Sequence, residues 1–180
     1  MKKVFVTTLL CLALASVILA QGPKKKSTAS KAKATVSAEI KAAAHSAVTT
    51  GCDAELWNHV YHKPRLVVVE KCIAVTGTIH HVKPEKDGDD HIQLTVDPEF
   101  EKLLNDRNRT AQAASLVVEP VCQGRDTQLD AEAACRDFHS PVDVPAKGTR
   151  VKIVGSFVLD TEPNHGWTEI HPVSSIEVIH

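Results

Sequence analysis

Residues 147–178 read Lys147-Gly148-Thr149-Arg150-Val151-Lys152-Ile153-Val154-Gly155-Ser156-Phe157-Val158-Leu159-Asp160-Thr161-Glu162-Pro163-Asn164-His165-Gly166-Trp167-Thr168-Glu169-Ile170-His171-Pro172-Val173-Ser174-Ser175-Ile176-Glu177-Val178. Two apolar runs flank Asp160–Gly166, a segment dense in Pro, Asn and Gly, each a turn residue for its own reason. The stretch therefore predicts strand, short turn, strand. Its turn and the strand after it also carry most of the chemically capable side chains: Asp160, Glu162, His165, Trp167, Glu169 and His171.

Working upstream, three more strands are expected. Leu66–Val69 and Cys72–Val82 form one long strand, interrupted by Gly77 as at a bulge or bend. Pro84–Asp90 is a turn. His91–Val96 alternates, with Ile92, Leu94 and Val96 on one face and His91, Gln93 and Thr95 on the other. Leu116–Val121 is the third strand. Helices are expected over Phe100–Arg107 and over Gln128–Phe138, the latter packing Leu129, Ala133 and Ala134. The order strand-strand-strand-helix-strand-strand predicts an all-β chain with one or two short helices. It is the order of the OB-fold, a five-stranded Greek-key barrel. Gly77 and Gly155 suit sharply coiled barrel strands. A two-layer sandwich is the rival, for which five strands are few.

The chain has 180 residues, 43% hydrophobic and only 4% aromatic, so aliphatic side chains must build the core. The formal net charge of -1 hides a segregation. Residues 52–180 hold 13 Lys and Arg against 21 Asp and Glu, whereas residues 21–51 hold six Lys and one Glu. An acidic domain repels phosphate backbones, which disfavours nucleic acid as a partner.

Residues 1–20 read as a signal peptide: Lys2 and Lys3, then an apolar run to Ala20, short for a membrane span. Residues 21–51 read as a basic flexible linker that needs no packing. Residues 52–180 are then a single domain, exported to a periplasmic or extracellular location, with no transmembrane segment in the mature chain and a monomer expected. Past the signal, Cys52, Cys72, Cys122 and Cys135 remain, an even count that implies disulfides in an exported chain. Three connectivities exist, and nearest-neighbour pairing, Cys52–Cys72 and Cys122–Cys135, is the expectation. Cys-x-x-Cys metal spacing is absent.

The segments Asp87-Gly88-Asp89-Asp90-His91-Ile92, Cys122, Ala134-Cys135 and His165-Gly166-Trp167-Thr168-Glu169-Ile170-His171-Pro172-Val173 resemble an uncharacterised family of exported bacterial proteins. The resemblance covers about residues 50–180. It implies an OB-like barrel and no established reaction.

In OB-folds ligands bind across strands two and three, between the loops joining strands one to two and four to five. Here those loops are Lys83–Asp90 and Asp160–Gly166. They are expected to present Asp87, Asp89, Asp160 and Trp167 as a ligand rim. His91, His165, Glu169 and His171 could form a mixed nitrogen–oxygen site for a divalent cation, though no cofactor is required. The competing expectation is turn chemistry, with imidazoles satisfying the backbone and Trp167 packing the barrel. The leading functional expectation is a non-enzymatic exported module that binds a small ligand or an envelope component. The alternatives are a metal-dependent phosphodiester hydrolase resembling thermonuclease-like OB-folds, through Asp87, Asp89 and Asp160, and a purely structural envelope domain. Arg107, Arg109, Arg125 and Arg136 lie in inserted and helical segments, which weakens the hydrolase reading. Serines lack nucleophile-elbow surroundings. Asn108-Arg109-Thr110 matches a glycosylation sequon.

Overall fold

The computed structural model describes residues 35–180, so the expected signal peptide and the first part of the expected linker lie outside the described residues. Five strands account for most of the regular structure: β1 (Leu66–Pro84), β2 (Asp90–Val96), β3 (Leu116–Val118), β4 (Arg150–Asp160) and β5 (Thr168–Val178). They close on themselves in the order β1-β2-β3-β5-β4, with β1 pairing back to β4. All pairings are antiparallel except β3 with β5, which run parallel at Val117–Glu169 and Val118–Ile170.

The alternation read in β2 is the one observed. Ile92 and Leu94 are fully buried in the core, while His91 and Gln93 face outward. Phe157, Ile153, Ile170 and Leu116, each fully buried, fill the same interior. Two glycines let the strands coil this tightly. A Cβ on Gly77 would stand 2.4 Å from the Thr95 carbonyl oxygen, and one on Gly155 would stand 2.4 Å from Ile170 Cγ2 and 2.6 Å from the Pro172 oxygen. The β4–β5 register also shifts on either side of Gly155.

Both expected disulfides are present, Cys52–Cys72 and Cys122–Cys135. The first ties the approach to β1 onto β1 itself. The second holds the segment after β3 against the loop joining β1 to β2, where Gln123 and Gly124 donate to the Gly88 carbonyl.

Four sequence expectations need correction. The stretch read as part of a flexible linker contains α1 (Ala38–Ser46), started by the Ser37 side chain accepting from the Ile40 amide. Its Ile40 and Ala44 are buried against the core, and Val48 bridges to Ile73. Alanines permit close approach, so two buried residues anchor the helix without a broad apolar face. The helix expected over Gln128–Phe138 shrinks to α3 (Glu132–Cys135), and Leu129 is 90% exposed. The segment is positioned by its disulfide and by turn hydrogen bonds from Thr127 and Gln128 to the Lys86 carbonyl. The third strand keeps only three residues: Glu119 still donates its amide to the Ile170 carbonyl, but Pro120 has none to give. The helix expected over Phe100–Arg107 is instead a 3₁₀ turn, Pro98–Leu103, followed by α2 (Asp106–Ala111). Asn105 caps α2 reciprocally with Asn108.

Among the described residues, no helix is long and apolar enough to cross a membrane.

Candidate functional site

A second, polar layer lies outside the barrel at the ends of the strands. β5 alternates, so Ile170 points into the core while Trp167, Glu169 and His171 share the opposite side. Loops cover that side. Glu169 and His171 are fully buried and Trp167 is 7% exposed. The indole N–H of Trp167 donates to Glu169 Oε2 at 2.8 Å, and Glu169 Oε1 lies 3.2 Å from His171 Nδ1.

The hub of this layer is Glu119, the residue that follows β3. Its Oε1 is 2.9 Å from His91 Nδ1 and its Oε2 is 2.8 Å from His171 Nδ1. His91 Nε2 reaches Gln112 Oε1 at 3.0 Å, and that oxygen also accepts from Gln93 at 3.0 Å. Arg65, ahead of β1, lies 3.8 Å from Glu119 and hydrogen-bonds Asp160 at the end of β4. His165 Nδ1 reaches the same Asp160 oxygen at 2.6 Å, and its ring stacks on Trp167 with centroids 4.2 Å apart. Four carboxylates, Asp89, Glu119, Asp160 and Glu169, thus meet four groups able to carry positive charge, Arg65, His91, His165 and His171. Pairing of this kind is what makes buried charge tolerable.

The network sets the protonation of its members. Burial opposes charge on Glu119, but hydrogen bonds to His171 and His91 outweigh it and hold the carboxyl well below its ordinary range. Burial likewise pulls His91 and His171 down. Glu119 and Gln112 raise His91 to about 9, and Glu119 with Glu169 raise His171 to about 10. Glu169 is raised by burial and by the nearby Glu119 charge. Burial pushes Asp89 up to about 7. The hydrogen bond to Asp160 raises His165.

Above this layer opens a cleft of about 660 Å³. Its walls include His91 and Gln93 of β2, Lys83, Glu85 and Asp87 of the first loop, and Glu162 and His165 of the second. Arg65, Gln112, Glu119 and Trp167 form its inner side, and Tyr61, His62, His81 and Gln128 its mouth. The two loops singled out in the sequence therefore do converge on one space.

The expected residues are redistributed within it. Asp87 and Trp167 line the cleft. Asp89 and Asp160 are not rim residues: they are 3% and 0% exposed and held from inside, Asp89 through Oδ1 by the Cys122 amide at 2.8 Å and Asp160 by Arg65 and His165. His91, Glu169 and His171 belong to one network, whereas His165 is turned to Asp160. The donor atoms that come within 4.8 Å of one another are those of Asp89, Glu119 and His171. A second such group, Asp89 with Cys122 and Cys135, is closed to ions because the cysteines are bonded to each other.

Sequence reading missed Glu119, Arg65, Gln112 and Asn108. A lone polar residue at a strand end carries no spacing signal. Asn108 is fully buried, donates to the Ser115 and Thr168 carbonyls at 3.1 and 2.8 Å, and accepts from the Thr168 amide at 2.9 Å. It fixes the start of β5, and its burial removes the sequon from the surface. No family model matches the chain, and no curated protein matches it.

Proposed function

We propose that the chain is an exported binding module of OB-like architecture whose cleft takes a small, neutral, hydrogen-bonding ligand of saccharide character. The strand order and the parallel β3–β5 contact support the OB-like reading. So does the position of the cleft over β2, between the loop joining β1 to β2 and the loop joining β4 to β5. The two disulfides fit an exported protein.

One observation carries the ligand class: most charged groups lining the cleft are paired with one another, Asp87 aside, whose carboxylate accepts from the Asp89 amide. Lys83 pairs with Glu85 at 2.7 Å, His62 with Glu162 at 3.3 Å, His91 with Glu119, and Arg65 and His165 with Asp160. The neutral groups of the lining are amide, phenol and imidazole: Gln93, which also donates to Gln112 at 3.0 Å, Tyr61, which donates to Asp130 at 2.6 Å, Gln128 and His81. The volume lies within the range of small-molecule sites. Among the described residues of the lining, Arg65 and Lys83 are both paired, which leaves no unpaired Arg or Lys to clamp a phosphate or carboxylate. For the hydrolase reading, Asp160 would have to be free for an ion or water, and Arg65 and His165 engage it.

The test is thermal shift of the oxidised protein against a panel of mono- and disaccharides, repeated with Gln93→Ala. A rise in Tm with one group of sugars, reduced in Gln93→Ala, supports the proposal. No rise with any member removes the saccharide assignment.

A further inference from the structure

Behind the cleft, two buried atoms face each other without a hydrogen-bond partner among the described residues: Asp89 Oδ2 and His171 Nε2. They stand 3.5 Å apart, and their residues are 3% and 0% exposed. We propose that these two atoms are ligands of a zinc-type divalent cation; a Glu119 oxygen lies within 4.8 Å of a donor atom of each residue.

The separation is the first argument. It is long for an N–H···O hydrogen bond, which peaks near 2.9–3.0 Å. Two ligand atoms each about 2.0–2.1 Å from one tetrahedral ion stand roughly 3.4 Å apart. The observed gap is therefore the width of a chelate. Leaving both atoms without a partner in a buried setting is unfavourable.

Orientation is the second argument. His171 presents Nε2 to Asp89 because Nδ1 is held from behind by Glu119 at 2.8 Å and by Glu169 at 3.2 Å. A carboxylate behind a ligating imidazole is the usual way proteins fix the ring and raise its basicity. Glu169 is itself fixed by the Trp167 indole, and Asp89 by the Cys122 amide on its other oxygen. Each prospective ligand is thus aimed by a further buried hydrogen bond, as a built site requires.

The donor set names the ion class. Imidazole with carboxylate oxygen suits zinc and its first-row neighbours, whereas calcium takes oxygen alone. Three carboxylates, Asp89, Glu119 and Glu169, surround the one ring, so a divalent charge offsets them more fully than a single proton. An entering ion takes the place of the Nε2 proton, which leaves to solvent. Relative to the sequence expectation, His171 remains a ligand, Glu169 becomes a group that orients it, and His165 belongs elsewhere. The site does not depend on the saccharide reading, because neither Asp89 nor His171 lines the cleft.

Calorimetric titration of the oxidised full chain with zinc chloride tests the proposal. One equivalent is expected to bind. Asp89→Asn, a near-isosteric change, is expected to weaken binding by at least about 100-fold, while His80→Gln at the exposed face of β1 leaves it intact. Nitrogen NMR of the wild-type histidine rings gives a reading that does not depend on how the variant folds: the His171 Nε2 resonance should move on adding zinc. Absence of zinc binding, binding undiminished in Asp89→Asn, or a His171 ring unmoved by zinc would each overturn the proposal.

Discussion

His91 and His171 come from different strands yet aim a ring nitrogen at the same carboxylate, one at each oxygen of Glu119. Neither histidine is near the other in sequence, and Glu119 is near neither. The barrel closure makes the meeting: β2 pairs with β3, β3 with β5, and Glu119 sits at the end of the short middle strand. A three-residue strand flanked by two long ones is a poor source of core but a good place from which to present one side chain to both neighbours.

Glu119→Ala should therefore be far more costly than its single charge suggests. Removing it strands His91 and His171 together, and breaking a buried ion pair costs about 3–5 kcal/mol. Urea denaturation should show a loss of that order. The exposed Lys83–Glu85 pair is the control, since Glu85→Ala should cost no more than about 1 kcal/mol. Equal losses in the two variants would contradict the assignment of Glu119 as hub.

The two barrel glycines should not tolerate a side chain. Gly155→Val drives Cβ into Ile170 and the Pro172 carbonyl, and Gly77→Val drives it into the Thr95 carbonyl. Backbone cannot yield as a side-chain tip can, so each should lower stability by about 1–3 kcal/mol or more. A melting temperature unchanged in both variants would count against so tight a ring.

Some of this architecture was legible and some was not, for physical reasons that can be named. The period-two pattern of β2 survives because one of its faces is core and the other is cleft. The disulfide pairing was readable because each bridge closes a modest loop. The turn residues of Asp160–Gly166 marked the hairpin between β4 and β5. By contrast, Arg65 and Glu119 gave no pattern, because their partners arrive through closure of the ring and not through neighbours in sequence. Asp89 looked like a loop acid and is buried, since the Cys122–Cys135 segment folds over it. Leu129 looked like a packing residue and is exposed, because that segment is held by its bridge and not by an apolar face. Ile40 and Ala44 were hidden in a lysine- and alanine-rich arm whose composition reads as linker.

The Cys122–Cys135 bridge should matter more to the cleft than to the barrel. It fastens the segment whose Cys122 amide holds Asp89 and whose Gln128 lines the cleft mouth. Closing a loop of this size is worth about 3 kcal/mol in the chain-entropy account. Cys122→Ser with Cys135→Ser should lower Tm. Hydrogen exchange should quicken at residues 119–140 while β1 and β4 keep their protection. Uniform loss of protection would mean that the segment is part of the barrel's own cooperative unit.

His165 supplies a pH signature. Its folded pKa is raised, chiefly by the hydrogen bond to Asp160, with burial acting against it. A raised folded pKa means that the pair contributes stability fully below the unfolded value near 6.5 and loses it as pH climbs through the folded value. The Tm gap between wild type and His165→Gln should therefore be widest at pH 5.5–6 and should narrow as pH rises above 6.5. A gap that stays flat or widens toward alkaline pH would contradict the charged pairing.

The claim that the cleft is a binding site and the polar layer its floor is tested most directly by the two indole N–H resonances. Trp167 lines the cleft, whereas Trp57 donates to Ser156 Oγ at 3.2 Å beside a separate groove. Titrating nitrogen-labelled protein with the saccharide panel should move the Trp167 indole and the His91 and His165 ring signals and leave the Trp57 indole where it is. A panel that moves neither indole, or moves Trp57 alone, would contradict the account.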